Sequence, residues 1–306
     1  MILSFLLSSF LTLVELNCEN LFDTHHDVGK EDTEFLPDGA RHWTSTKYWG
    51  KVNRIGQEIL SCADQLPDLV ALVEVENDSV LRDLTHRSLL RNASYDYLMT
   101  ESPDVRGVDV ALLYQPKRFH PLCYETITVP QLPGMRPTRD ILYVQGRCSS
   151  GDTLHVFVVH APSRYGGARQ TAPYRLQVSR LLQQAVHTIG LQSHVIITGD
   201  FNDYADSPSL EELYRLGLQN VTREAKGLHG TPGNYCFRGE WHSLDHVLTT
   251  PSLSLKVDSA FINDASFLLE TDPDDGEKRP FRTFQNMHYQ QGFSDHLPLV
   301  VRFLLH

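Results

Sequence analysis

The chain has 306 residues, of which 41% are hydrophobic and 21% are charged, so its composition excludes intrinsically disordered and collagen-like proteins. This length allows either one large domain or two of ordinary size. The formal net charge is −11 and the 27 Lys and Arg residues form no basic run, which argues against tight nonspecific binding to duplex nucleic acid.

Residues 1–10 are an apolar lead whose composition is typical of a signal-peptide core. The lead has no basic start and no convincing cleavage site, and it runs into the first predicted strand at residue 11. We therefore expect either a partial export signal or a plain lead to that strand. A cytoplasmic location is slightly favoured, and export stays open as the alternative. The lead is too short for a good transmembrane helix, and no stable membrane span is predicted.

Hydrophobic periodicity and turn residues predict strands and helices that alternate along the chain, the pattern of an α/β protein. The predicted strands are 11–17, 69–74, 95–99, 110–114, 142–148, 154–160, 194–198, 246–249 and 299–304. The predicted helices are 47–63, 80–90, 172–190 and 208–216. Parallel crossovers and hairpins mix, which favours two stacked mixed sheets with helices outside. No repeat or linker divides the chain, and we expect a single domain over residues 11–306.

The strand predicted at 194–198 leads directly into Asp200, Asn202 and Asp203. Oxygen ligands placed at a sheet edge in this way are suited to a hard cation such as Mg²⁺ and to a phosphate. The alternative is an ordinary turn, because Asp, Asn and Gly are common after strands.

Polar residues recur at the ends of other predicted strands and shortly before the last one. In chain order these positions are Asn17, Glu19, Glu74, His160, Asp245, Asp295 and His296. Each residue taken alone has an ordinary explanation as a strand-end or turn residue. All of those explanations would have to hold together, so the ordered set favours a functional site.

Together these residues resemble the endonuclease/exonuclease/phosphatase superfamily of metal-dependent phosphoesterases, which includes DNase I-like and exonuclease III-like enzymes. The resemblance covers nearly the whole chain, from Asn17 to His296, and the ordered set is specific although each motif is modest. It implies an α/β (α+β) fold, a four-layer sandwich of two mixed β-sheets flanked by helices, with the active site at one edge. It also implies a hydrolase that acts on phosphoester bonds.

Carried over residue by residue, the resemblance implies a site for Mg²⁺ or Mn²⁺. Glu74 is the expected principal metal ligand, with Glu19 and Asp295 nearby, and Asn17 is expected to contact the substrate near the phosphate. This ligand set agrees with the preference of Mg²⁺ for one or two carboxylates together with water and substrate oxygens.

For the reacting groups, the resemblance implies that Asp200 and Asn202 orient or deprotonate the attacking water and hold the phosphate. It implies that Asp245 orients His296, because a histidine beside a carboxylate gains a raised pKa and a fixed tautomer. We expect Asp200 to be the base, and His160 and His296 to stabilise the phosphate oxygens. The opposite division, with His296 as the base, stays open.

Arginines follow His160 closely: Arg164 and Arg169 lie in the next loop, and Arg175 opens the next helix. Guanidinium groups bind phosphate with two parallel hydrogen bonds, so Arg164 and Arg175 are predicted to bind substrate. The alternative is solvated loop charge for Arg164 and a helix ion pair for Arg175. Asp109 is a candidate to orient His160.

Other residues are given structural roles. The five scattered cysteines indicate buried thiols, with a single Cys123–Cys148 bridge as the alternative. Trp43, Tyr48 and Trp49 are interpreted as packing residues.

We therefore expect a metal-dependent phosphoesterase that hydrolyses a phosphate ester by direct attack of an activated water. The substrate is a small phosphorylated molecule or nucleic acid, and the first alternative function is that of a DNA endonuclease or exonuclease. A catalytically inactive module that binds a phosphorylated ligand is the alternative of another class. No obligate protein partner is evident from the sequence.

Overall fold

The computed structural model describes residues 9–273 and 276–305. Most of the lead predicted over residues 1–10 lies outside these residues, whereas residues 9 and 10 already belong to the first strand. The described strands are β1 (Ser9–Leu21), β2 (Leu69–Val75), β3 (Asp96–Met99), β4 (Asp109–Tyr114), β5 (Phe119–Ile127), β6 (Ile141–Cys148), β7 (Thr153–His160), β8 (His194–Asp200), β9 (Gln219–Asn220), β10 (Tyr235–Phe237), β11 (Glu240–His242), β12 (Asp245–Thr249), β13 (Val257–Ile262), β14 (Leu269–Thr271), β15 (Lys278–Pro280), β16 (Phe284–Gln285), β17 (His288–Tyr289) and β18 (Leu299–Leu305). The described α-helices are α1 (Ser45–Leu60), α2 (Asp78–His86), α3 (Ala168–Ile189), α4 (Pro208–Leu216) and α5 (Pro251–Ser254).

Two six-stranded mixed sheets form the centre of the molecule, as predicted. The first has the strand order β13-β18-β1-β2-β4-β3, and the second has the order β5-β6-β7-β8-β12-β9. In the first sheet β1 is parallel to β2 and antiparallel to β18. In the second sheet β8 is parallel to β7 and antiparallel to β12. Three two-stranded ribbons, β10–β11, β14–β15 and β16–β17, extend this framework.

The core between the two sheets is built from the strands that the hydrophobic pattern identifies. Leu13 and Val73 of the first sheet and Val156 and Ile196 of the second belong to one buried cluster. Helices α1 and α2 cover the outer face of the first sheet, and α3 and α4 cover that of the second. Strands buried on both faces read as continuous apolar runs, which is why the sequence reveals them. The arrangement confirms the predicted sandwich of two sheets flanked by helices.

Strand β5 is absent from the prediction because it is an edge strand whose side chains are mostly exposed. Leu122 and Tyr124 are 51% and 55% exposed, so the segment carries no burial pattern to detect. The structure also excludes the Cys123–Cys148 bridge. Cys123 lies opposite Gln145 in the β5–β6 pair, and all five cysteines are free.

The aromatic residues before α1 pack as predicted. Trp43 is fully buried and its indole N–H donates to the Phe22 carbonyl at 2.9 Å, while Tyr48 is buried in the same cluster and donates its hydroxyl to Asp83. Within the described residues, the helices are all too short or too polar to cross a membrane.

Candidate functional site

The register of the second sheet brings three predicted site residues side by side. His160 at the end of β7 pairs with Asp200 at the end of β8, and Asp245 at the start of β12 pairs with Asp200 from the other side. Asn17 lies on β1 of the first sheet, and its Nδ2 donates to Asp200 Oδ2 at 3.1 Å. The two sheets therefore contribute side chains to one cleft at this end of the sandwich.

Four residues at this end have left-handed backbone conformations. The φ angles are 47° at Glu19, 59° at Asn20, 61° at Glu74 and 51° at Asn202. The β1–β2 and β2–β4 pairings both shift register here, which is typical of a bulge that re-aims side chains. Because such conformations cost non-glycine residues free energy, their clustering marks this end of the sandwich as a functional site.

Asp200 is the central buried carboxylate of the cleft. Its Oδ1 accepts a hydrogen bond from the Asn202 backbone N–H at 2.7 Å, and its Oδ2 lies 3.7 Å from His160 Nε2. Burial raises the pKa of Asp200 to about 7, and repulsion from Asp245 adds to the rise. A carboxylate with this pKa can accept a proton near neutral pH, as a general base must.

His296 and Asp245 form a close pair on the other side of Asp200. His296 Nδ1 lies 2.6 Å from Asp245 Oδ2, and Asn234 Nδ2 donates to the same oxygen at 2.5 Å. Burial of the ring lowers the pKa of His296, but the Asp245 carboxylate more than offsets this effect and raises it well above its ordinary value. His296 therefore carries a proton, and its Nε2 can donate to an anionic ligand.

His160 is a neutral imidazole in the same cleft. Burial lowers its pKa well below the ordinary value, and the positive charges of Arg139 and Arg106 lower it further. The expectation that Asp109 orients His160 is wrong. The Asp109 carboxylate instead accepts hydrogen bonds from Thr100 and Ser102. His160 Nδ1 has no hydrogen-bond partner in the described part of the chain.

Glu74 faces His160 from the end of β2. Its Oε2 accepts from the Asn20 backbone N–H at 2.9 Å, and its Oε1 lies 3.8 Å from His160 Nε2. Arg106 Nη2 donates to Glu74 Oε1 at 3.4 Å. The sequence analysis does not identify Arg106, because the loop between β3 and β4 carries no motif that would place it here.

Glu19 and Asp295 share one guanidinium group. Arg282 Nε donates to Glu19 Oε1 at 3.2 Å, and Arg282 Nη2 donates to Asp295 Oδ2 at 3.1 Å. The other oxygen of Glu19 accepts from the Thr283 backbone N–H at 2.6 Å. Burial raises the pKa of Glu19, and the negative charge of Asp295 raises it further. These two carboxylates therefore lie close enough to repel each other.

Glu15 is a further buried acid that the sequence analysis treats only as part of the first strand. It is fully buried, and neither carboxyl oxygen has a hydrogen-bond donor among the described residues. Burial raises its pKa well above the ordinary value, and Asp245 and Asp200 raise it further. Glu15 is therefore neutral and adds no charge behind Asp245.

Two sets of residues could hold a metal ion. Asp200, Asp245 and His296 each place one ligand atom within 4.8 Å of the others, and they are the one such trio found within residues 9–273 and 276–305. The predicted ligands Glu74, Glu19 and Asp295 line the cleft but do not form such a close trio. The cleft thus combines several hard oxygen donors with two histidines.

Arg164 lies at the rim of the cleft. Its guanidinium stacks on the Tyr204 ring at 4.2 Å from the centroid, and Tyr204 stacks on His242 with the ring centroids 4.9 Å apart. Tyr204 is two residues beyond Asn202, so this stack stands beside the predicted phosphate site. The position is compatible with the predicted role of Arg164 in binding substrate.

Arg175 occupies a different environment from the one predicted. Its side chain is only 2% exposed, its Nε lies 2.8 Å from Asp203 Oδ2, and its Nη1 donates to Thr171 at 2.7 Å. The geometry corrects the prediction that Arg175 binds substrate, because the guanidinium is buried against α3 and the loop after β8. The helix ion pair that was the alternative is closer to its actual role.

The Arg175→Met substitution is expected to lower the free energy of unfolding by about 3–5 kcal/mol, because it leaves Asp203 as an uncompensated buried charge. Urea unfolding of the wild type, Arg175→Met and the exposed Arg169→Met variant measures this effect. Arg169→Met should unfold like the wild type. A stable Arg175→Met protein with a raised KM would return Arg175 to substrate binding.

Comparisons with known proteins agree on one assignment. The sequence matches a family model described as the Endonuclease/Exonuclease/phosphatase family over residues 12–304. Among the curated proteins, none matches the chain.

Several solved structures share the fold. An endonuclease/exonuclease/phosphatase family protein from Bacteroides thetaiotaomicron is 17% identical, with 98% of this chain and 99% of that chain covered and a TM-score of 0.66. A humanized TDP2 from D. rerio is 17% identical, with 97% and 99% covered and a TM-score of 0.60. A mannosyl-6-phosphatase from Bacteroides thetaiotaomicron is 16% identical, with 95% and 98% covered and a TM-score of 0.59. At these identities the structural similarity shows the fold.

Proposed function

The chain belongs to the endonuclease/exonuclease/phosphatase family and is a phosphoester hydrolase, and on this premise we propose that it cleaves its substrate by direct attack of a water activated at Asp200. The observation that carries this proposal is the placement of two buried groups with opposite roles in one cleft. Asp200 has a pKa of about 7 and can accept a proton, whereas His296 is held protonated by Asp245. Titratable groups whose environments separate their roles in this way identify the base and the acid of a reaction.

A divalent cation fits the donor set of the cleft. The carboxylates repel one another, since Asp295 raises the pKa of Glu19 and Asp245 raises the pKa of Asp200, and a cation would relieve this excess negative charge. Glu74 would hold Mg²⁺ or Mn²⁺, with Glu19 and Asp295 nearby. Such an ion would neutralise charge on the phosphate and polarise its bonds to oxygen.

The residues of the chain itself supply the proton transfers and the positioning. Asp200, held by Asn17 and the Asn202 backbone, takes a proton from the attacking water. His296, held by Asp245, donates from Nε2 to the oxygens that become more negative as the phosphate is attacked. His160, buried and neutral, stands within 4 Å of Asp200 and stabilises the phosphate as a hydrogen-bond donor.

The substrate is proposed to be a small phosphorylated molecule. The net charge of −11 opposes the long-range attraction that duplex DNA needs, although a DNA endonuclease or exonuclease uses the same chemistry. The catalytically inactive binding module is disfavoured because all the acid, base and amide groups of the set are present and meet in one cleft.

Metal removal and a substrate panel test the proposed function. We expect the purified protein to hydrolyse bis-p-nitrophenyl phosphate or small phosphate esters with Mg²⁺ or Mn²⁺, and to lose this activity in EDTA. Plasmid DNA, an abasic-site duplex and inositol phosphates complete the panel. Metal-dependent nicking of plasmid would favour the nuclease, and turnover confined to small phosphates would favour the phosphatase. If every substrate stayed intact with both metals, the binding module would replace the enzyme.

A further inference from the structure

A cavity of about 400 Å³ opens beside the catalytic cleft, and Asp295 and Arg282 line it. One wall is the β10–β11 ribbon, and the other includes β15 with Gln285 and Asn286. A volume of this size is within the range of small-molecule sites. Because the cavity adjoins the carboxylates of the cleft, a molecule whose phosphate lies in the cleft could extend into it.

A row of three rings leads from the cleft toward this cavity. The Tyr235 ring centroid lies 4.7 Å from that of His296, and the Phe237 centroid lies 6.5 Å from that of Tyr235, with the two planes within 9°. Tyr235 and Phe237 are two residues apart on β10 and so project from the same face of the ribbon. Phe237 lines the cavity and is 52% exposed.

An exposed ring in this place needs an explanation. Exposed apolar surface beside a cleft and rimmed by polar residues typically marks a ligand-binding surface. The Phe237 ring has the Arg238 guanidinium at 5.1 Å from its centroid, and no other ring-stacking partner besides Tyr235 is found in the described part of the chain. The ring therefore offers a flat face to a ligand, with a cation at its edge.

The charges around the cavity differ from those of the protein as a whole. The chain carries a net charge of −11, yet the cavity wall carries more cationic than anionic side chains. The cationic ones are Arg238, Lys278, Arg279 and Arg282, and the anionic ones are Asp272, Glu277 and Asp295. A ligand that is itself negatively charged is favoured here over the rest of the surface.

We propose that this cavity is a subsite for the organic part of the substrate, and that the substrate is an anionic phosphoester bearing a flat aromatic ring, such as a nucleotide. The ring stacks on the strip formed by Tyr235 and Phe237 while the phosphate lies at Asp200 and His296. This inference rests on the proposed function for the place of the phosphate, and it deepens that function by naming a substrate class.

The test compares two ligands that differ only by the ring. Adenosine 5′-monophosphate and ribose 5-phosphate share the sugar phosphate, and only the first carries a base. Binding is measured by calorimetry in Mg²⁺ with the full chain carrying Asp200→Asn, so that the ligand is not consumed. We expect the nucleotide to bind about 10-fold more tightly than ribose 5-phosphate, as stacking of one base on an aromatic side chain predicts.

The Phe237→Ala change, made in the same background, should bring the two affinities to within about 2-fold of each other, because it removes the stacking face. Tyr124→Ala is the matched control, since Tyr124 is a comparably exposed ring on the edge strand β5, and it should leave the 10-fold preference intact. Circular dichroism of both variants checks that they are folded.

Equal binding of the two ligands to the Asp200→Asn protein would overturn the proposal, and so would a preference that survives Phe237→Ala. A strip that binds sugars would show itself by a loss of ribose 5-phosphate affinity equal to that of the nucleotide, which would also overturn it. Failure of the proposed function is separate. If the substrate panel stayed intact but the ring preference held and depended on Phe237, the subsite would stand without the hydrolase.

Discussion

The Asp200→Asn substitution is expected to lower kcat by about 10³-fold, within the usual range for loss of a general base. The amide keeps the shape of the side chain and can still bond to its neighbours, but it cannot take a proton from water. Asn17 and the Asn202 backbone N–H, which both donate to the carboxylate, would leave the fold of the cleft largely intact. Steady-state kinetics with the best substrate of the panel measures the effect.

The pH profile separates loss of the base from loss of structure. Because Asp200 works as a base only when ionised and its pKa is raised to about 7 by burial, activity of the wild type should rise with pH through the neutral range. This rise should disappear in Asp200→Asn. The control is Asp206→Asn, an exposed residue in the turn after β8, which should keep both rate and profile. Activity of Asp200→Asn near the wild-type value would remove Asp200 from the role of base.

The His296→Ala substitution is expected to lower kcat by about 10²–10³-fold, the usual loss when one donor to a developing negative charge is removed. His296 is the donor because Asp245, bonded at 2.6 Å, keeps it protonated. Asp245→Asn should cause part of the same loss, since it removes the charge that holds the proton. The double variant should be little worse than His296→Ala alone, because the two residues act as one unit.

Two further observations test the role of His296. The exposed His288→Ala variant is the control and should keep wild-type kinetics. If His296 were instead the base, its loss would remove the rise of activity with pH, whereas loss of Asp200 would preserve it. That outcome would exchange the two roles while leaving the site where it is.

Much of the fold could be predicted because the two central sheets are buried on both faces. Strands such as β2 and β8 are continuous apolar runs, and their ends are where the chain places Glu74 and Asp200. The topology then brings those ends together, so a list of strand-end residues is also a list of neighbours. Strand β5 escaped because an exposed edge strand lacks such a run.

The charged partners of the site could not be predicted for a related reason. Arg106 and Arg282 reach Glu74 and Glu19 from loops that are 32 and 263 residues away along the chain. An arginine in a polar loop looks the same in sequence whether it faces solvent or a buried carboxylate. Arg175 is the opposite case, because its proximity to His160 in sequence suggested the cleft while α3 carries its guanidinium to Asp203.

The hydrogen bond from Asn17 to Asp200 has a mechanical consequence. Asn17 belongs to the first sheet and Asp200 to the second, so the groups that act on the substrate are divided between two bodies that only side-chain packing holds in register. Substituting Leu13 or Val156, buried between the sheets and outside the cleft, with a larger residue would slide one half of the catalytic set relative to the other. Reaction rate would then serve as a gauge of the spacing between the sheets, and it would fall before the chain unfolds.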